Sequence, residues 1–469
     1  MVHTFELSKT VSRETFNEII HSLGIRLYGN CWATSAYKDK GFPLICLFKF
    51  QRQDIKEKIK EDSDLTHHYM VTLSINTAYM FGGNGDPHLS QSILNFTPDY
   101  VRAIYRKIFE LIPSMEEHPE WCFDNCWEEA KERNIADDED WINEKKELNR
   151  KWMEANIFKA RRIDFAFDLK YMNQQYLSLI NRGDSLREDA YERKYYEKNG
   201  TQTESSDDEP DIPDSEEILK MLADDEAGIT NEAEKPDNSY RPDVNYVYYK
   251  GKGKHSTNVN IYHKQTELEK KQLEFNPDMD YDFLRIEIQL KKNKLNYIVS
   301  KFGLKGRELH YLITPEVEEY VLKSYIMNLT KDGTYVTYNH AMKIIDNSHC
   351  TKPKKEKLKK IIDTVAKKHG VAKVLEEVKN GTITDLGELK TVKQYLKDIR
   401  KLGINPVTIS ARMEVPKQTL KNQNGGKDLS EKVLPSLVDI LIAYGDQMKD
   451  YQQNGMPVTD EEIEQIMKL

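Results

Sequence analysis

The most regular hydrophobic and polar pattern along the chain is a period of two that recurs in three short runs. In Arg162-Ile163-Asp164-Phe165-Ala166-Phe167-Asp168-Leu169, the residues Arg162, Asp164, Ala166 and Asp168 fall on one side and Ile163, Phe165, Phe167 and Leu169 on the other. In Leu284-Arg285-Ile286-Glu287-Ile288-Gln289-Leu290 the polar side is Arg285, Glu287 and Gln289, and in Asn258-Val259-Asn260-Ile261-Tyr262-His263-Lys264 it is Asn258, Asn260, Tyr262 and Lys264. Successive side chains of a strand point to opposite faces, so each run predicts a strand with one apolar and one polar face. Joined in one sheet, the polar faces gather carboxylates, a tyrosine and cations. The solvent side of an ordinary antiparallel sheet carries the same alternation, and the pattern alone leaves both readings open.

Around these runs the spacing changes character. Residues 1–112 predict a mixed α/β part: a helix over Phe16–Leu23, strands over Phe42–Phe48 and His68–Ile75, and a helix over Tyr100–Ile112. Residues 113–158 are charged, with helical spacing, and Trp121, Trp127, Trp141 and Trp152 are expected to anchor helices to the body. Residues 159–300 hold the alternating runs, a further strand over Val244–Lys250, and an acidic stretch at 200–240 expected to be a mobile, solvated insertion with one short helix near Ile218. Residues 301–469 turn to helical spacing. The fold class expected is therefore α+β: an antiparallel central sheet with helices on one face, followed by a mostly helical, helix-turn-helix or winged-helix-like region.

Charge refines the picture. The chain of 469 residues carries a net charge of −9, which argues against nucleic acid only if the charge is spread evenly. It is not: Glu204–Asp237 holds 14 acidic residues against Lys220 and Lys235, a local −12, and the remainder is −9 + 12 = +3. From Lys352 to Leu402 there are 15 Lys/Arg against 7 Asp/Glu, or +8. A phosphate-binding surface needs a local basic patch rather than a basic average. The helix Leu389–Leu402 should bury Val392, Leu396, Ile399 and Leu402 and turn out Lys390, Lys393, Lys397, Arg400 and Lys401, as a DNA-binding face or as a solvated one. The 5 scattered cysteines suit a reducing compartment. Met1–Glu6 has no signal-like pattern and no apolar run is long enough to span a membrane, so a cytoplasmic location is expected. Adjacent His67 and His68 should point to opposite strand faces, and no metal site is expected there.

The polar faces have the parts for phosphodiester cleavage. Asp164, Asp168 and Glu287 are hard oxygen ligands that suit Mg²⁺ or Mn²⁺. Arg162, Arg285 and Lys264 can offset charge on phosphate, and a tyrosine hydroxyl can attack phosphorus.

The run Tyr249-Lys250-Gly251, then Ser256, then Ile261-Tyr262-His263-Lys264 resembles the element Tyr-x-Gly-Ser…Ser…Ile-Tyr-x-Lys of rolling-circle initiators. Arg162–Asp168 precedes it and Arg285–Ile288 follows, in the family's order. The chain thus resembles the phage and plasmid replication proteins of the gene II/X family, related to staphylococcal-type plasmid initiators. The resemblance implies an origin-specific, metal-dependent nickase of a bacterial host cell, which forms a covalent 5′-phosphotyrosine and leaves a 3′-OH primer. It implies Tyr249 as nucleophile, Tyr262 as second tyrosine, and Asp164 and Glu287, followed by Asp168, as acidic positions. Lys250, Lys252, Lys254 and His255 in the following turn would approach DNA. Lys252 stands where the family usually has serine, and Asn260 where it often has a cation. Partners implied are a double-stranded origin, a single-stranded nick site, and a host helicase and polymerase; a homodimer is compatible and a membrane is not expected. A conjugative relaxase with the same chemistry and a non-catalytic DNA-binding regulator are the alternatives.

Overall fold

Strand β1 (Val2–Val11) sets Phe5 and Leu7 on one face and Glu6 and Ser8 on the other, and the chain then enters helix α1 (Arg13–Ser22), whose N-cap Ser12 accepts a hydrogen bond from the Thr15 amide at 3.1 Å. This computed structural model describes residues 1–51, 67–81, 96–123, 139–170, 174–183, 191–194, 218, 246–251, 257–266, 283–330, 333–410, 433–434, 436–437, 440–442 and 446. After α1 come β2 (Arg26–Tyr28), β3 (Cys31–Thr34), β4 (Leu44–Gln51), β5 (His67–Ile75) and the short α2 (Thr77–Met80). Helix α3 (Pro98–Leu111) starts at a Thr97 cap with Pro98 in its first turn, where a missing N–H costs nothing. Then follow α4 (Glu139–Ala155), the long strand β6 (Lys159–Lys170), α5 (Gln174–Arg182), β7 (Tyr191–Lys194), β8 (Tyr246–Gly251), β9 (Thr257–His263) and β10 (Phe283–Lys291). The remainder is mostly helical: α6 (Lys292–Phe302), α7 (Leu309–Leu312), α8 (Pro315–Thr330), α9 (Tyr338–Asn347), α10 (Lys352–Lys367), α11 (Val371–Lys379) and α12 (Leu389–Lys401), with short strands β11 (Tyr335–Val336) and β12 (Val433–Leu434). The class is α+β with an antiparallel sheet, and among the described residues no helix is long and apolar enough to cross a membrane.

The chain divides into two compact units whose boundary falls inside β6: Met1–Asp164, Gln202–Ser239 and Leu290–Thr314 form the first, Phe165–Thr201, Tyr240–Gln289 and Pro315–Leu469 the second. In the first unit the strands run in the order β2-β3-β4-β5-β1-β6. Register pairs Phe5 with Ile75, Leu7 with Leu73 and Leu47 with Val71, placing these side chains on one face. All are buried, as are Phe16 and Ile19 of α1 and Val101, Ile104 and Ile108 of α3. The other face pairs Glu6 with Ser74 and Ser8 with Thr72, and continues into Leu44, Cys46, Ala33, Cys31 and Phe48. Ile218 packs on that apolar end and is 1% exposed. Ile218, where a short helix is expected, is thus an apolar anchor inside the acidic stretch; the rest of the stretch lies outside the described residues. Trp152 is buried and donates its indole N–H to Glu116 Oε1 at 3.0 Å, in line with its expected anchoring role. Trp127 lies outside the described residues.

In the second unit the strand order is β6-β10-β9-β8-β7. Helix α8 meets β9 through Tyr325, whose hydroxyl lies 2.9 Å from Thr257 Oγ1. The helical part is built around α10, whose buried stripe Leu358, Ile361, Ile362 and Val365 packs with α9, α11 and α12. Beside these helices β11 pairs antiparallel with β12, and Thr334 and Thr337 on either side of it form isolated parallel bridges to Ile404 and Ile409. Asn405 donates its amide to Thr334 O at 2.9 Å, and Ile409 donates to Val336 O at 3.0 Å. Gly333 (φ 110°) precedes this junction, and a side chain there would fall 2.6 Å from the Ile404 backbone, so the close approach requires glycine. A sheet followed by a mostly helical region agrees with the coarser part of the expectation.

Candidate active site

Polar alternation on β9 and β10 produces the densest buried polar cluster described, and it belongs to the second unit. Arg285 on β10 is 0% exposed and makes a two-pronged pair with Asp168 on β6, Nε to Oδ1 at 2.7 Å and Nη2 to Oδ2 at 2.8 Å. Two positions along β10, Glu287 accepts a hydrogen bond from the Tyr262 hydroxyl at 2.6 Å. Two further on, Gln289 accepts from the Asn258 amide at 3.1 Å, and Asn258 Oδ1 in turn accepts the Gly251 amide at 3.4 Å. Lys264, also buried, places Nζ 5.4 Å from the centre of the Tyr262 ring, within cation–π range.

The cluster is held together because its members need one another. A charged group moved out of water costs several kcal/mol unless it is paired and hydrogen-bonded, and the two-pronged arginine–carboxylate geometry is the strongest pairing available. Burial works against the Arg285 charge, yet Asp168, with Tyr262 and Glu287 beside it, more than offsets that and holds the guanidinium pKa above its ordinary value. Arg285 thus stays a fixed cation beside the tyrosine and the two carboxylates. The polar faces are buried rather than solvated, so the plain surface-sheet reading of the alternation does not describe this part of the sheet.

Not every residue expected at the site is brought here. Asp164 belongs to the first unit, where Arg162 grips it with two bonds, 2.7 Å from Nε and 2.5 Å from Nη2, and also lies 3.4 Å from Glu6. Asp168 and Glu287 thus lie in the second unit's cluster, while Asp164 pairs with Arg162 within the first unit. The physical reason is the strand rise of about 3.3 Å per residue: a shared face places Asp164 and Asp168 in line but two pleats apart. Tyr249 is also not brought to the cluster. Its backbone pairs with Val259, it is 2% exposed, and residues directly opposite in a ladder share a face. Tyr249 therefore lies with Val259 and Ile261, across the sheet from Tyr262. His263 likewise faces away from Tyr262 and has Nδ1 2.8 Å from Thr266 Oγ1. Lys252, Lys254 and His255 lie outside the described residues, as does the side chain of Lys250. His67 and His68 occupy successive positions of β5, opposite Gln51 and Phe50, so they point to opposite faces as expected.

Glu6 and Tyr325 were not singled out in the sequence. The alternation Phe5-Glu6-Leu7-Ser8 carried a signal for the first; nothing local marks Tyr325, which reaches β9 from a distant helix.

Among the described residues no group of three or more His, Cys, Asp or Glu is gathered as a metal site. Mg²⁺ commonly needs less, binding one or two carboxylates and completing its shell with water and substrate phosphate. Asp168 and Glu287 are hard oxygen donors on neighbouring strands of one unit, and each carboxylate oxygen has more than one acceptor position.

No family model and no curated protein matches this sequence.

Proposed function

We propose that the chain is a rolling-circle replication initiator that nicks and rejoins one DNA strand through a tyrosine. The observation that carries this reading is the Tyr262 hydroxyl donating to Glu287 at 2.6 Å, beside the buried Arg285–Asp168 pair and Lys264. The ordered resemblance of the three motifs to rolling-circle initiators supports the same class. Tyr262, rather than Tyr249, is the nucleophile in this reading, because its oxygen shares a face with carboxylates and cations.

The chemistry assigned to these side chains balances. Glu287 accepts the phenolic proton as the Tyr262 oxygen forms a bond to phosphorus. The bond from phosphorus to the 3′ oxygen breaks, and Glu287 returns the proton to that oxygen. The products are a 5′-phosphotyrosine and a 3′-OH primer. Arg285 and Lys264 offset charge on the phosphate as it develops, a preorganised effect that is strongest in a site with little water. Asp168 keeps Arg285 aimed and charged. Mg²⁺ or Mn²⁺ held by Asp168 and Glu287 with a DNA phosphate would supply Lewis-acid polarisation. Reversal, with a 3′-OH attacking the phosphotyrosine, rejoins the strand without a nucleotide cofactor.

Glu287→Gln keeps a hydrogen-bond partner for the tyrosine but removes the proton acceptor. Nicking of supercoiled DNA that carries the coding region and its flanks is expected to slow by about 10²- to 10⁴-fold, with DNA affinity little changed. Conversion to open circles, followed by gel with Mg²⁺, Mn²⁺ or a chelator, checks this; wild-type protein that never nicks its own origin overturns the enzyme reading.

One observation favours a second reading. Arg285, Glu287, Tyr262, Lys264, Asn258 and Gln289 are all buried, as in a polar core that fixes strand register. A non-catalytic DNA-binding regulator would keep the sheet as such a scaffold, and it would bind DNA without forming an adduct that survives detergent.

A further inference from the structure

Exposed lysines without an ion pair among the described residues occur on α10 (Lys352, Lys357), on α11 (Lys373, Lys379) and on α12, where four of them form a row. Five other lysines on and just after α10 are answered by acids within the helical bundle: Lys354 by Asp398 at 2.7 Å, Lys359 by Asp346 at 2.6 Å, Lys360 by Asp385 at 2.6 Å, Lys367 by Asp363 at 2.7 Å and Lys368 by Glu377 at 2.6 Å. On α12, Lys390, Lys393, Lys397 and Lys401 are exposed and make no ion pair among the described residues. The acid of α12 itself, Asp398, is taken by Lys354 and by Gln394. Helix α12 carries 5 basic residues against that 1 acid, 5 − 1 = +4, and the acid is already matched from α10.

Their placement is linear. At about 100° per residue, the four lysines lie within an arc of about 80°, opposite the buried Val392, Leu396 and Ile399. From Lys390 to Lys401 the row is about 16 Å long at 1.5 Å per residue.

We infer that α12 is a duplex-DNA docking helix that uses Lys390, Lys393, Lys397 and Lys401 as a row of phosphate contacts. The row has the length and straightness to follow a groove wall, and a major groove admits an α-helix. A membrane surface is the poorer fit, since the apolar side of α12 is already buried in the bundle and is not available for insertion. Single strands are the poorer fit as well: sequence-tolerant binding of single strands relies on exposed aromatic platforms, and the one aromatic residue of α12, Tyr395, is half-buried. The inference deepens the replication reading by naming how duplex DNA is held, but it is tested by binding and not by cleavage.

The test is the affinity of the full chain for a 20-base-pair duplex between 50 and 200 mM KCl, for wild type and for Lys390→Gln/Lys393→Gln/Lys397→Gln/Lys401→Gln together. Each phosphate contact contributes about 0.9 to the slope of log affinity on log salt. The quadruple variant should lose 3 to 4 units of that slope, so that about 100-fold of the salt-dependent fall disappears, with an unchanged circular dichroism spectrum. An unaltered slope overturns the inference, as does wild-type preference for single-stranded DNA, duplex RNA or phosphatidylglycerol vesicles over the DNA duplex. Wild-type protein that binds the duplex with this salt dependence but never nicks it would count against the catalytic reading alone.

Discussion

Tyr262→Phe is expected to abolish the covalent DNA adduct and to slow nicking by more than about 10³-fold, the scale on which removal of a nucleophile acts. Tyr249→Phe is expected to leave both nearly unchanged. The contrast follows from register. Tyr262 stands on the face of β9 that meets Glu287, whereas Tyr249 pairs with Val259 on the opposite face. Two tyrosines thirteen positions apart in sequence thus lie on opposite faces of the sheet, and Tyr262 is the one beside a carboxylate and a cation. The check is a denaturing gel of labelled DNA after quenching in detergent, with circular dichroism to confirm that each variant is folded. Equal adduct from wild type and Tyr262→Phe would remove Tyr262 from the mechanism.

Arg285→Met should destabilise the second unit by about 3–5 kcal/mol, the range for removing one partner of a buried ion pair. Arg285 is fully buried and both prongs of its guanidinium are committed to Asp168. Its loss leaves a carboxylate with little solvent and no counter-charge. Replacing both partners, Arg285→Met with Asp168→Leu, should recover most of the loss, because neither an unmatched charge nor an unmet hydrogen bond remains. Denaturant midpoints at unchanged m value measure the effect. A single-variant cost under about 1 kcal/mol would mean that the pair is solvated and weak. The double variant is expected to be inactive even where it is stable, since Arg285 and Asp168 also serve the proposed chemistry.

Alternation is what made much of this legible in the sequence. Ile163, Phe165 and Phe167 against Arg162, Asp164 and Asp168, and Ile286 and Ile288 against Arg285, Glu287 and Gln289, marked β6 and β10 and the face each residue takes. The exposed lysine row of α12 and its buried stripe followed from helical spacing in the same way. Periodicity assigns a face within one strand but not the register between strands. For that reason a shared face does not settle partners: Asp164 and Asp168 lie on one face of β6 yet bind different arginines. Tyr249 shows a related limit: a motif fixes spacing along the chain, while the face that a residue occupies depends on how β8 pairs with β9. Strand β1 was missed because its alternation, Thr4, Glu6 and Ser8 against Phe5 and Leu7, sits in a run of mild hydrophobicity. The anchoring of Ile218 was hidden by the acidic residues around it, since average composition says nothing about one apolar side chain meeting an apolar sheet end.

The most direct test of the account is to identify the residue that carries DNA. Wild-type protein would be incubated with Mg²⁺ and supercoiled DNA bearing its coding region and flanks, quenched in detergent, digested with nuclease and protease, and sequenced by mass spectrometry. A nucleotide attached through phosphate to Tyr262 is the predicted result. Attachment at Tyr249, or no covalent product with either Mg²⁺ or Mn²⁺, would contradict it.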